Sequence, residues 1–293
     1  MEEYSCKLNI GGLLIRFVGI PLKAEKYTLP FLVKEGFDTP EADHTVYVTA
    51  SDDMALPEGE LVYEDFEQCC FVNGDDSYTA RIRIRGNIPY VVSHDRRGEH
   101  CNRVVIEKCT LFSDDWLRRV LLYSNMPHIM LDYGRLMLHS SYISTEHGGI
   151  VFCGKSGAGK STQAELWREH RGAEIINGDR SLVNLERDEN GLPFARVHSM
   201  PFAGTSGICY NKSTRLLAAV AVKQGPYSKA QRLKGAAAVR AVLENSVVES
   251  WRRDENARAA FLAADIAGAL PVIELTCLPD ETAVNALERL LIF

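Results

Sequence analysis

Residues 138–183 read LHSSYISTEHGGIVFCGKSGAGKSTQAELWREHRGAEIINGDRSLV, and the run GKSGAGKS inside them, Gly154 to Ser161, decides the fold class. Four apolar residues, Ile150-Val151-Phe152-Cys153, precede the run and have the length and composition of a short buried strand. Residues 160–170 follow it with the composition of a helix. Strand, glycine-rich loop and helix N-terminus in that order make an anion cradle. Glycines let successive backbone N–H groups turn inward, and the helix end adds partial positive charge. The spacing G-x-x-x-x-G-K-[ST] puts Gly154 at the strand exit, Lys160 where its ammonium reaches β and γ phosphates, and Ser161 where its hydroxyl binds Mg²⁺. Ser156, Gly157, Ala158 and Gly159 supply the backbone between them, and Thr162 either approaches the α-phosphate or caps the helix. Lys155 is equally a phosphate contact or a solvated side chain.

Outward from the loop the pattern stays α/β. A strand is expected at 137–143, a turn at Gly148-Gly149, and a strand at 174–176 that runs into Asn177-Gly178-Asp179. Further on come a β-rich run at 216–222, an alanine-rich helix after Lys234, a charged helix at 250–267, a strand at 271–276 and a last helix from Asp280. The first hundred residues differ: short strands at Tyr4–Ile10, 13–18, 44–49, Gln68–Val72, 78–84 and 104–107, with Gly11-Gly12 closing a hairpin and Asn73-Gly74-Asp75-Asp76 supplying turn chemistry. Ser113-Asp114-Asp115 is positioned to cap a helix carrying Trp116, Val120, Leu121 and Tyr123, with Pro127 disturbing its end. These readings place a boundary between 110 and 135. Residues 1–125 form a β-rich region suited to substrate or partner binding, and 126–293 the P-loop core.

Composition narrows the class. The 293 residues are 46% hydrophobic and 25% charged, an ordinary globular balance. A net charge of −6 argues against a generalised nucleic-acid binder, since neutralising a phosphate backbone takes clustered Lys and Arg. Eight cysteines show no CxxC pair and no zinc-like spacing, so they read as reduced small hydrophobes. No stretch approaches eighteen apolar residues, and Met1-Glu2-Glu3 lacks the basic start of a signal peptide, so no membrane association and a cytoplasmic location are expected. Asn211-Lys212-Ser213-Thr214 looks like the guanine-selecting N-K-x-D element but has Thr214 where the acid belongs, which disfavours a GTPase.

The 46 residues quoted at the outset resemble the catalytic core of the bacterial HPr serine kinase/phosphorylase family, a core related in fold to phosphoenolpyruvate carboxykinase. The shared pattern is a strand with a histidine, a β-turn, a second strand, G-x-S-G-x-G-K-S, a helix, and a strand ending in adjacent aspartates followed by arginine. His139 matches the histidine, Gly154 to Ser161 the loop, and Asp179-Arg180 the second aspartate and the arginine. Ala219 to Val222 with Gln231-Arg232-Leu233 resembles the next strand and turn, and Pro201-Phe202-Ala203-Gly204-Thr205-Ser206-Gly207 the mobile loop near substrate. The resemblance implies transfer of the γ-phosphate of ATP, with Mg²⁺, to a hydroxyl. Lys160 would hold the β and γ phosphates, Ser161 and Asp179 the metal, Asp179 the acceptor hydroxyl, and His139 the γ-phosphate; Arg180 and Arg215 are further cationic candidates.

Two departures stand out. Gly178 occupies the place of the first aspartate, so one carboxylate serves both metal and acceptor, or another residue takes one task. The loop tied to the phosphorylase reaction is missing, and phosphorolysis is not expected. The acceptor is a Ser or Thr of a protein or peptide, or the hydroxyl of a small metabolite; a nucleotide-binding regulator without transfer activity is the third reading. Relatives commonly form closed homo-oligomers.

Overall fold

The structure, a computed structural model, describes residues 4–21, 24–34, 36, 40–54, 58–72, 78–85, 88–96, 98–108, 116–249 and 251–291. Its internal contacts divide the chain into Met1–Met126 and Pro127–Phe293.

The first unit starts with β1 (Tyr4–Ile10) and β2 (Leu13–Gly19), joined by Gly11 and Gly12 at φ of 61° and 81°. A two-residue hairpin turn of type I′ needs both central residues at positive φ, which explains the glycine pair. Cys6, Leu8 and Ile10 alternate inward along β1. β3 (His44–Ser51), β4 (Glu60–Glu64), β5 (Gln68–Val72), β6 (Tyr78–Arg85), β7 (Ile88–Arg96) and β8 (Cys101–Glu107) complete an eight-stranded sheet in the order β1-β2-β3-β8-β7-β6-β5-β4. β2, β3 and β8 run parallel, the other pairs antiparallel. Helix α1 (Trp116–Tyr123) buries Leu117, Val120 and Leu121. The sequence reading missed β4 and β7 and started β8 late; the expected cap at 113–115 and turn at 73–76 lie outside the described residues.

The expected role of Pro127 is corrected. Helix α1 has already ended at Tyr123, and Asn125 takes a left-handed φ of 55°. Pro127 falls in the first turn of a new helix, α2 (Met126–Asp132), where a missing N–H costs nothing.

In the second unit the chain runs β9 (Leu136–Ser144), β10 (Gly149–Cys153), α3 (Lys160–Arg171), β11 (Glu174–Asn177), β12 (Arg180–Arg187), β13 (Pro193–Ser199), β14 (Ser213–Gln224), β15 (Lys229–Arg232), α4 (Ala236–Leu243), α5 (Arg253–Ala269), β16 (Val272–Cys277) and α6 (Glu281–Leu291). The fold is mixed α/β. β9 pairs antiparallel with β10, and with β11 and then β12. β12, β13 and β14 are successively antiparallel, while β14 lies parallel to both β10 and β16. The pairings close a circuit through β9, β12, β13, β14 and β10. Antiparallel β15 joins beyond β16.

Consecutive residues of the parallel strands serve opposite faces, as strand geometry demands. Val151, Ala219 and Val272 point to one core with Ala259, Ala263 and Ile266 of α5. Phe152, Val220 and Ile273 point to the other with Trp167 of α3 and Leu287 of α6. Burial on both faces gives these strands the near-continuous apolar runs of a covered parallel sheet.

Two polar clusters sit inside this unit. In β13, His198 lies between Ser213 Oγ at 2.7 Å and Asn184 Oδ1 at 2.8 Å, and burial pushes its imidazole down to about 4. Between α2 and α5, Glu255 meets His128 and Arg252, each at 2.6 Å, while Asp132 meets Arg258 at 2.5 Å. His128, Arg252 and Glu255 are all buried. The Arg252–Glu255 contact is an ion pair, and neither Glu255 contact has the alignment of a hydrogen bond.

Candidate functional site

Strand register assembles the site. Cys153, the last residue of β10, pairs with Ser140, so His139 stands beside the strand exit at Gly154. His139 in turn pairs with Arg180, the first residue of β12, and Ser140 N–H donates to the Asp179 carbonyl at 2.9 Å. Loop, histidine, aspartate and arginine therefore gather at the carboxyl ends of the parallel strands β10 and β14, where open α/β sheets place their ligands.

The loop is built for close approach. Gly154 has a φ of +150°, and a Cβ there would come within 2.9 Å of Ala158 Cβ and 3.1 Å of the Val222 carbonyl oxygen. Only glycine fits. Helix α3 starts at Lys160 behind Gly159, with no acidic residue in its first turn to cancel the positive helix end. Lys160 is buried and its Nζ donates to the carbonyls of Gly154 at 2.9 Å and Lys155 at 3.3 Å, so its ammonium is held across the loop mouth. Burial lowers its pKa against the opposite pull of Cys153 and Asp179. Gln224 of β14 donates to the Gly157 carbonyl at 2.8 Å and ties the loop to its neighbouring strand. Lys155, Ser156, Gly157, Ser161 and Thr162 are exposed.

Opposite the loop, Asp179 lies 3.8 Å from His139 Nε2 and 3.6 Å from Arg180 Nε. Burial and then the Lys160 charge push His139 below the ordinary imidazole value; Asp179 pulls it up and Arg180 down. Around neutral pH the ring is uncharged and carries one donor and one acceptor. The Arg180 guanidinium is stacked over Phe202 at 5.2 Å.

Asn177, fully buried, organises this corner. Its Oδ1 accepts from the backbone N–H of Asp179 at 2.8 Å and of Arg180 at 3.0 Å. Its Nδ2 donates to the Met200 carbonyl at 2.7 Å and to Ser199 Oγ at 3.0 Å. One side chain thus ties the aspartate to the start of segment 200–207. That segment ends in a short 3-10 turn, Gly204–Ser206. A Cβ on Gly178 would lie 2.0 Å from Ser206 Oγ and 2.5 Å from Ser206 Cβ. The volume that a second carboxylate would need is filled by the Ser206 side chain.

An open cavity of about 920 Å³ runs from the loop towards α4, past Lys155, Val222, Gln224, Leu233, Arg240 and Glu244. That volume lies at the upper end for small-ligand sites. Its walls combine apolar area with charge, as a nucleoside with phosphates requires.

Two sequence expectations are corrected. Arg215 lies next to Gly149 at the far end of the strands, about 20 Å from the loop by strand rise, and stacks on Phe194 at 4.9 Å. Thr162 does not cap α3, because the N-cap is Gly159 and Thr162 is already inside the helix. Sequence reasoning gave no role to Asn177 or Gln224, and it named Gly204 and Ser206 only within the segment 201–207 expected near substrate, without their contacts to Asp179 and Gly178. Of the first two, Asn177 carried a signal, as a turn-forming side chain directly before Gly-Asp.

Mg²⁺ takes oxygen ligands, keeps several waters and binds through one or two protein oxygens plus phosphate. The Ser161 hydroxyl and the Asp179 carboxylate fit that donor set. Among the described residues no group of three or more His, Cys, Asp or Glu forms a ready-made metal cage, and no helix is long and apolar enough to cross a membrane.

No family model and no curated protein matches the chain. Among solved structures, it is similar to the Hpr(Ser) kinase/phosphatase from Coxiella burnetii, at 12% identity over 53% of this chain and 90% of that one, with a TM-score of 0.26. A likeness that loose leaves the reading of the site to its own geometry.

Proposed function

We propose that this protein is an ATP- and Mg²⁺-dependent phosphotransferase that moves the γ-phosphate to a hydroxyl, that of a serine or threonine in a protein or peptide. The observation that carries this reading is the strand register, which sets His139, Asp179 and Arg180 beside the exit of the phosphate loop.

Phosphoryl transfer needs alignment and positive charge more than covalent help from the protein. Loop N–H groups and Lys160 hold the β and γ phosphates. Ser161 and Asp179 hold Mg²⁺, which when bound neutralises phosphate charge. Asp179 also accepts the proton of the acceptor hydroxyl, a double duty supported by the filled space at Gly178. His139, neutral and exposed, donates to the transferred phosphoryl group. The cavity beside α4 receives the nucleoside.

The test is purified protein with γ-labelled ATP, Mg²⁺ and native-cell extract as acceptor source. Wild type labels a hydroxyl acid-stably. Lys160→Ala reduces transfer at least a hundredfold, the scale of losing a preorganised charge on the transition state. Asp179→Asn lowers the rate about 10²- to 10⁴-fold, more than it weakens nucleotide binding. Equal transfer by the lysine variant sinks the assignment.

A further inference from the structure

The turn Gly204–Ser206 packs beside Asp179 and carries two hydroxyl residues of the chain itself, Thr205 and Ser206, both exposed. A Cβ on Gly204 would lie 2.8 Å from Asp179 Cβ and 3.1 Å from its Oδ1, so the turn rests on the carboxylate. Ser206 Oγ lies over Gly178, close enough to its ideal Cβ position that it is within about 7 Å of the Asp179 α-carbon. Asn177 holds both partners, through the Asp179 N–H and the Met200 carbonyl. Gly204 and Gly207 flank the turn at φ of 54° and 66°.

We propose that the protein phosphorylates itself on Ser206 when no other acceptor is bound. This inference rests on the phosphotransferase reading above. At rest Ser206 Oγ donates to the Ala203 carbonyl at 2.7 Å and accepts from the Ile208 N–H at 3.2 Å. Rotation about χ1 releases the hydroxyl from both of these neutral hydrogen bonds, each of which is weak in net terms. In the reaction a bond forms between Ser206 Oγ and the γ-phosphorus, and the bond from that phosphorus to the β,γ-bridging oxygen breaks. Its electron pair leaves on ADP, and the Oγ proton passes to the Asp179 carboxylate. A hydroxyl tethered beside the base enjoys the high effective concentration of an intramolecular reactant, which a dissolved acceptor lacks.

The product limits itself. Phosphoserine adds about two negative charges beside Asp179, which disfavours a second ATP by repulsion. Modified protein therefore binds nucleotide more weakly, and the mark records that ATP was present without an acceptor.

The experiment incubates the full chain alone with Mg²⁺ and γ-labelled ATP, then maps phosphate by mass spectrometry on the peptide spanning 197–212, beside a direct measurement of Mg·ATP binding and of released inorganic phosphate. Expected is one phosphate on Ser206, kept in Thr205→Ala, and absent from both Ser206→Ala and Lys160→Ala. Site mapping on the unaltered chain decides the matter even where a variant folds poorly. Three results overturn the inference: label on Thr205 or elsewhere, label persisting in Ser206→Ala, or an unlabelled chain that binds Mg·ATP and phosphorylates extract proteins in the assay described above. The third leaves the phosphotransferase reading standing. A chain that does not bind Mg·ATP loses both.

Discussion

Gly178 is a position where one absent side chain sets the chemistry of its neighbour. With Ser206 filling the space a Cβ would occupy, any side chain at 178 displaces the turn that rests on Asp179. Gly178→Ala should leave Mg·ATP affinity within about twofold and lower phosphoryl transfer at least tenfold, a misplacement effect. Ser206→Gly introduced into that variant clears both short approaches and should restore transfer through an external acceptor. Titration calorimetry beside initial rates reads the two numbers, and parallel loss of both would show that the turn serves nucleotide binding instead. This contact could not be read from the sequence, because residues 178 and 206 are far apart in the chain and neither has a local reason to meet the other. Gly154 was legible for the opposite reason: its constraint is local, set by a turn that follows a strand and precedes a helix.

Elements with a strong apolar period were legible, and those without one were not. β10, α3 and the β1–β2 hairpin follow from apolar runs and glycine placement. β12 and β13 escaped notice because polar residues hide their alternation: β13 ends in His198 and Ser199, both buried through tertiary contacts. Edge strand β15, KAQR, has no buried face to signal it. His198 gives that hidden strand a measurable signature. Burial holds its folded pKa near 4 against 6.5 for an unperturbed ring, so the unfolded chain binds the proton first as pH falls. Stability is complete above pH 6.5 and decreases towards pH 4 by about 3 kcal/mol. Urea unfolding at stepped pH checks this, and His198→Gln should remove that part of the slope. The α2–α5 cluster gives a second test. Glu255→Gln leaves the buried Arg252 without its carboxylate, and thermal and denaturant melts should register a loss of about 3 kcal/mol or more. A change under 1 kcal/mol would mean that water or another acid compensates the arginine.

At the scale of the whole molecule, every residue assigned to the nucleotide or to its transfer lies in Pro127–Phe293. That unit has its own two cores, one against α4 and α5 and one against α3 and α6. A chain of residues 126–293, which keeps α2 whole, should fold and bind Mg·ATP within about threefold of the full protein. Circular dichroism and equilibrium binding check both points, and a folded fragment that has lost the nucleotide would assign part of the site to the first unit. The sequence change near residue 113 announced a division, yet composition alone left its position open, since no Pro- or Gly-rich linker marks it.

The packing of Ser206 over Gly178 also constrains how this chain can change over generations. A descendant that acquires an aspartate at 178, and with it a second carboxylate, must first have lost the serine at 206; the reverse order passes through an ancestor with a displaced turn. The two positions form a ratchet in substitution history, and sequences of this type should show Gly178 together with a small hydroxyl residue at 206, or neither.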